Sequence, residues 1–183
     1  MPVTPFHLGP ALLTKAAGPK WFSLGVFTVI QIAIDLEPVG YVLAGDYPRH
    51  AALHTLAGSV LLAIAAIVPA KYGLSCLYER IRHRLATSDS PPRWLVAELN
   101  PISWKTAMTG GLLGAISHVI LDAVIHLDVT PFAPLSYENP FFVPYSFVWV
   151  HVLCGISGGL GLLIWLVRAK RGESASDWRC LKD

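Results

Sequence analysis

The sequence predicts an all-α, polytopic membrane protein with four transmembrane helices and a short N-terminal segment that can enter the bilayer without crossing it. Three observations carry that expectation. The composition is 54% hydrophobic and only 14% charged, with a mean hydropathy of +0.52, which fits lipid better than water as the solvent. Four stretches reach the roughly 20 apolar residues needed to cross the hydrocarbon core. The basic residues are distributed very unevenly between the segments joining those stretches. At 183 residues the chain has one domain's length, read as a single membrane domain over 1–183.

The first span is expected over about 21–44, where Asp35 and Glu37 precede Pro38 and the proline predicts a stop or kink. The second, about 51–70, contains LAGSVLLAIAAIVPA, nearly free of polar groups. The third, about 106–127, carries His118, Asp122 and His126, and the fourth covers about 147–167. Gly110 with Gly114, and Gly155 with Gly159, have the small-xxx-small spacing that lets helices approach closely. The 72–105 segment is a loop that includes a short basic helix, LYERIRHRLA, followed by the turn SDSPPR.

Charge sets the orientation. Thirteen of the 14 Lys and Arg residues precede the first span, lie between the second and third, or follow the fourth; Arg49 is the exception. The positive-inside rule then puts both termini and the 72–105 loop in the cytoplasm, with the Gly45–His50 turn and the Asp128–Ser146 loop outside. The net charge of +2 conceals this asymmetry. No basic segment followed by a small-residue cleavage site marks a removable signal peptide. Cys76, Cys154 and Cys180 form no CxxC pair, so neither a disulfide framework nor a thiolate zinc site is indicated. Membrane lipid is the expected partner, and no nucleic-acid partner is expected.

Ionisable groups inside a span are costly and each requires a reason. At about 1.5 Å per residue, His118 lies about 18 Å beyond Thr106, just past the midplane. In HVILDAVIH, His118, Asp122 and His126 recur every four residues, which stacks them on one helical face. Imidazole, carboxylate and imidazole in a column can supply ligands to one or two divalent ions. Asp35 and Glu37 lie toward the outer end of the first span. His50 and His54 form a second i, i+4 pair where the second span begins, and His151 lies one turn into the fourth. All four spans therefore place His or carboxylate in the outer half of the bilayer. Bland roles remain open for some: His50 and His126 as interfacial groups, Glu37 as an interfacial carboxylate, His151 as a packing residue. His83, between Arg82 and Arg84, reads as a solvated side chain.

The segments TPFHLGPALL, DLEP, GDYPRHAALHT and SHVILDAVIHLDVTPFAP together resemble the YdjM-like family of predicted bacterial inner-membrane, metal-dependent hydrolases. The resemblance runs from the N-terminal end to about Pro134. It implies that His7, Asp35, His50, His54, His118 and Asp122 are metal-site candidates, with His126 in the same stretch. His7 reaches the outer-half cluster only if residues 5–15 form a re-entrant segment; otherwise it takes no part.

The expected activity is hydrolysis of a lipid or lipid-linked (phospho)ester at the outer side of the membrane. One to three divalent ions, zinc first given a His-plus-carboxylate set, would lower the pKa of a bound water and polarise the ester oxygen. Glu37 is the candidate general base. The alternatives are a metal-ion or proton transporter, which needs polar groups continuing to the cytoplasmic side, and a haem-binding bundle with axial histidines. No P-loop, GxSxG or dinucleotide fingerprint competes.

Overall fold

In a computed structural model, residues 4–18, 21–46, 50–86 and 99–170 are described. They form five helices and no strand: α1 (Thr4–Ala16), α2 (Leu24–Ala44), α3 (Leu56–Ala86), α4 (Trp104–Ile125) and α5 (Ser146–Lys170), with a 3-10 turn at Ala52–His54 ahead of α3. The helices α2 to α5 are each long and apolar enough to cross a membrane. The protein is a multi-pass membrane protein with the four spans the sequence predicts.

Local chemistry sets the helix ends. Ser23 caps α2, its Oγ accepting from the Val26 N–H at 3.3 Å, and Ser103 does the same for α4 through Thr106 at 3.2 Å. Gly45 closes α2 in the left-handed region at φ 72°, where the missing Cβ removes the penalty. Pro38 does not end α2, which continues through it to Ala44. A buried helix in lipid can absorb the one lost hydrogen bond.

Two expectations about α3 change. The helix starts at Leu56 and not at 51, because Thr55 Oγ1 accepts the Gly58 N–H at 2.9 Å and fixes the first turn there. The expected basic helix is no separate element; α3 runs unbroken past Lys71 to Ala86. SDSPPR, together with Lys20, Arg49, Arg93 and everything after 170, lies outside the described residues.

The core lies between α2, α3 and α4, where Val26, Ile30, Ile34, Ala63, Ile67, Ala107 and Ala115 are buried together. Helices α2 and α4 run parallel with their backbones in contact. A Cβ on Gly110 would stand 2.5 Å from Ser23 O, and one on Gly114 2.9 Å from Phe27 O. The other glycine pair behaves differently. A Cβ on Gly155 meets only Phe6, at 3.8 Å, and one on Gly159 meets nothing. The close contact on α5 is made instead by Gly161, whose added Cβ would lie 2.6 Å from Leu13 N, while Gly9 faces Cys154 O across the same seam.

That seam explains the N-terminal segment. Phe6 meets His151, Gly9 meets Cys154, Leu13 meets Gly161, and Ala16 O accepts from Arg168 Nη1 at 2.6 Å. The numbers rise together, so α1 lies parallel to α5. Thirteen residues span about 20 Å, too short to cross. Lys15 stays at the end that holds Phe22, Thr106 and Arg168, as the charge asymmetry expects. Thr4 lies toward the opposite end, beside the start of α5, so the described residues begin and finish at opposite ends of the bundle and not on one side as expected, and His7 is thereby carried into the interior. The outward surfaces of α3 and α5 remain apolar. Val148, Trp149, Leu153, Ile156, Leu160 and Leu163 are all about half exposed or more, a surface suited to lipid.

Candidate metal centre

Seven imidazole and carboxylate side chains from five places in the fold meet in one buried layer. Helix α2 contributes Asp35, one turn beyond Gln31. The turn before α3 contributes His54, with His50 just ahead of it. Helix α4 contributes His118 and Asp122, His126 follows just past its end, and α1 contributes His7. Of these, His54 and His118 are 0% exposed, Asp122 2%, His7 3% and Asp35 6%.

The ring nitrogens are sorted by their outer partners. His118 Nδ1 lies 2.5 Å from Gln31 Oε1. The Gln31 amide nitrogen donates to Gly114 O at 3.1 Å and to Ser117 Oγ at 3.3 Å, so its oxygen is the end that faces His118. His118 is therefore protonated on Nδ1 and turns the Nε2 lone pair inward. Glu37 does the same for His54, with Oε2 at 2.9 Å from Nδ1. Asp128 does it for His50, again at 2.9 Å. Metal-binding histidines are held in this way, the second nitrogen donating to a carboxylate or carbonyl acceptor. Burial raises the Asp128 carboxyl, but the hydrogen bond and charge of His50, a backbone hydrogen bond and His126 together outweigh this and hold it below its ordinary value.

What the inner nitrogens face is equally informative. Among the described residues, the buried side-chain nitrogen and oxygen atoms without a hydrogen-bond partner are His7 Nδ1, both oxygens of Asp35, His50 Nε2, His54 Nε2, His118 Nε2, Asp122 Oδ2 and His126 Nε2. All belong to this cluster. Orphaned buried polar atoms are rare and expensive, and here they converge. His54 Nε2 and His118 Nε2 each lie 3.3 Å from Asp122 Oδ2, and His118 Nε2 lies 3.4 Å from Asp35 Oδ1. Those separations exceed the about 2.7–2.9 Å of a charge-assisted hydrogen bond. They match the edge of a tetrahedron, about 3.3–3.4 Å, around an ion with ligand bonds of about 2.0–2.1 Å. The group Asp35, His54, His118 and Asp122 could hold a metal ion. Two neutral imidazoles and two carboxylates carry a charge that one divalent ion balances, which lowers the cost of placing them in lipid. Asp122 Oδ1, on the other side of its carboxylate, lies 3.4 Å from His7 Nε2.

Glu37, His50 and His126 occupy places other than those expected. Glu37 does not face the ligand group. Its oxygens accept from Ala51 N at 3.0 Å, Leu53 N at 2.9 Å and His54 Nδ1, so its lone pairs are engaged and its geometry is that of a residue orienting His54. The turn it holds also separates His50 from His54, which do not form a helical i, i+4 pair. His126 leaves the face shared by His118 and Asp122, because α4 ends at Ile125 and His126 is extended at φ −119° and ψ 120°. Its ring packs on His50, centroids 4.5 Å apart, and with His50 and Asp128 it makes a second group that could hold an ion. His151 takes the packing role left open for it, outside both groups: its Nδ1 donates to Phe147 O at 2.7 Å and its ring lies between Phe6 and Phe147.

Sequence reasoning missed Gln31 as a partner of His118. The available signal was its i, i+4 relation to Asp35, a buried polar group one turn from a buried acid. It also missed Asn139, whose Nδ2 donates to Ala123 O and His126 O at 2.8 and 2.9 Å and so closes the end of α4. No family model matches this chain, and neither a curated protein nor a solved structure matches it. Fold and cluster together define the class: a multi-pass helical membrane protein with a buried His/Asp group able to bind a metal.

Proposed function

We propose that the protein is a membrane-embedded, metal-dependent hydrolase of the kind the YdjM-like resemblance implies, acting on a lipid or lipid-linked (phospho)ester at the outer side of the bacterial inner membrane. The observation that carries this reading is the convergence of orphaned Nε2 and carboxylate atoms on one point. Mixed imidazole and carboxylate donors without thiolate suit zinc. Such an ion supplies Lewis acidity and, where a coordination place is left open, water with a pKa near 7.

The chain's own residues divide the remaining tasks. Asp35, His54, His118 and Asp122 hold the ion. Gln31 and Glu37 keep His118 and His54 in the ligating tautomer. Apolar α2–α4 packing around Ile30, Ile34 and Val119 excludes bulk water beneath the cluster, which strengthens every charge interaction within it. Exposed Leu127, Leu135, Tyr137 and Tyr145 flank the cluster's end of the bundle, at a depth where lipid headgroups and ester bonds lie.

A haem is disfavoured by the spacing of the rings. His54 and His118 have centroids 5.3 Å apart and both face Asp122 Oδ2, leaving no slot for a macrocycle between them. Transport would require the polar path to continue past Gln31 toward Thr106, where α2 and α4 are in backbone contact.

The test is hydrolysis of phospholipid and lipid-phosphate substrates in detergent micelles by zinc-loaded protein. Turnover is expected, with loss in Asp122→Ala and on chelation, and recovery on adding zinc back to the wild type. A zinc-loaded wild type that cleaves no ester in either substrate class would refute the hydrolase reading.

A further inference from the structure

We propose that His50 and His126, with Asp128 orienting His50, form a second metal position, distinct from the four-residue group, which keeps an open coordination place for an external oxygen ligand. The proposal rests on the reading of the inner cluster as a metal site and deepens it by separating a closed position from an open one.

The two groups differ in the way that separates closed zinc sites from exchangeable ones. The inner group offers four protein ligands, all buried, and four ligands complete a tetrahedron. The outer group offers two imidazole nitrogens, with Asp128 engaged at His50 Nδ1, and fewer than four protein ligands leave room for water or substrate. Its atoms are nonetheless arranged as a built site. His50 is 6% exposed, its Nδ1 is taken by Asp128, and its Nε2 is buried with no partner. His126 Nε2 is likewise buried without a partner. Two adjacent imidazoles with unsatisfied nitrogens, beside a carboxylate, require a shared cation more than they require each other.

The surroundings supply the access that the inner group lacks. His50 and Asp128 line a cleft of about 410 Å³, together with Thr130, Ala133 and Tyr137. An anionic group entering the cleft would have its charge met by the ion at His50 and His126. Phosphate oxygens or water are the chemistry that fits the open place. His50 also packs on His54, centroids 4.7 Å apart, so the two positions are neighbours through adjoining rings.

Several residues hold the outer group in place. Asn139 ties down the His126 carbonyl, and Ser146 Oγ donates to Val124 O at 2.9 Å, so the chain leaves α4 in one direction. Had α4 continued for another turn, His126 would face Asp122 and the outer group would not exist.

Metal stoichiometry by mass spectrometry tests this on the purified full chain loaded with zinc, beside Asp128→Asn, His126→Ala and His118→Ala/Asp122→Ala. Two ions per chain are expected in the wild type, one of them removed by brief exposure to a mild chelator. His126→Ala is expected to keep one chelator-resistant ion. Asp128→Asn, which preserves shape, should weaken the labile ion about 10–100-fold, the usual cost of disturbing a ligand's carboxylate partner. Inorganic phosphate should alter the visible spectrum of cobalt-loaded wild type and leave that of cobalt-loaded His126→Ala unchanged. One ion in the wild type, with His126→Ala and Asp128→Asn binding identically, would overturn the second position while leaving the inner one standing. No ion in any form would overturn both.

Discussion

Replacing Gln31 with methionine removes a hydrogen-bond partner from His118 while keeping nearly the same volume. In the native protein Gln31 Oε1 sits 2.5 Å from His118 Nδ1, and both side chains are 0% exposed. Methionine cannot accept a proper hydrogen bond there, so the imidazole is free to protonate on either nitrogen and to rotate. Loss of such a partner typically weakens metal binding about 10–100-fold, which corresponds to about 1.4–2.7 kcal/mol. The apo protein also loses stability, because a buried N–H left unpaired costs about 1–3 kcal/mol. The assay is a competition between the protein and a chelator of known affinity, with thermal unfolding followed in parallel with and without zinc. Gln31→Glu retains an acceptor and is expected to restore most of the affinity. Unchanged zinc affinity in a folded Gln31→Met protein would refute the reasoning, since His118 would then need no orienting partner.

Other perturbations separate scaffold from site. Glu37→Ala deletes three hydrogen bonds to one carboxylate and is expected to destabilise the fold by about 3 kcal/mol or more, read as a fall in the unfolding midpoint; a general base would instead lose activity at full stability. Gly110→Ala drives a Cβ to within 2.5 Å of Ser23 O and is expected to cost about 1–3 kcal/mol, whereas Gly155→Ala is expected to be nearly silent in the same thermal measurement. Acidification should release the metal, because protons compete with it for the ligand nitrogens and carboxylates. Dialysis at pH 5 against pH 7.5, followed by metal analysis, should show zinc retained only at the higher pH.

Much of the bundle was legible because lipid imposes simple rules. An apolar stretch of about 20 residues has few alternatives, and α2 to α5 all appear near their expected places. The i, i+4 pair of His118 and Asp122 was equally legible, since both lie well inside a long helix where spacing fixes the face. His50, His54 and His126 lie where helices end, and there the four-residue spacing misled. Thr55 and Glu37 hold a 3-10 turn around His54, while Asn139 helps close α4 and His126 turns away. Those ends depend on hydrogen bonds between segments far apart in sequence, which periodicity does not encode. Gln31 escaped for the same reason: its partner is 87 positions away. The course of α1 could be framed only as a choice, because Lys15 and His7 require opposite ends of a short helix. Packing against α5, with Gly9 and Gly161 at the contact, satisfies both.

X-ray absorption at the zinc edge of the purified protein tests the central claim most directly. A first shell of nitrogen and oxygen at about 2.0–2.1 Å, with the outer scattering of imidazole rings, is expected in the wild type and should disappear with the metal in His118→Ala/Asp122→Ala. A well-folded wild type that shows no zinc edge after reconstitution, or one whose edge survives unchanged in that double variant, would contradict it.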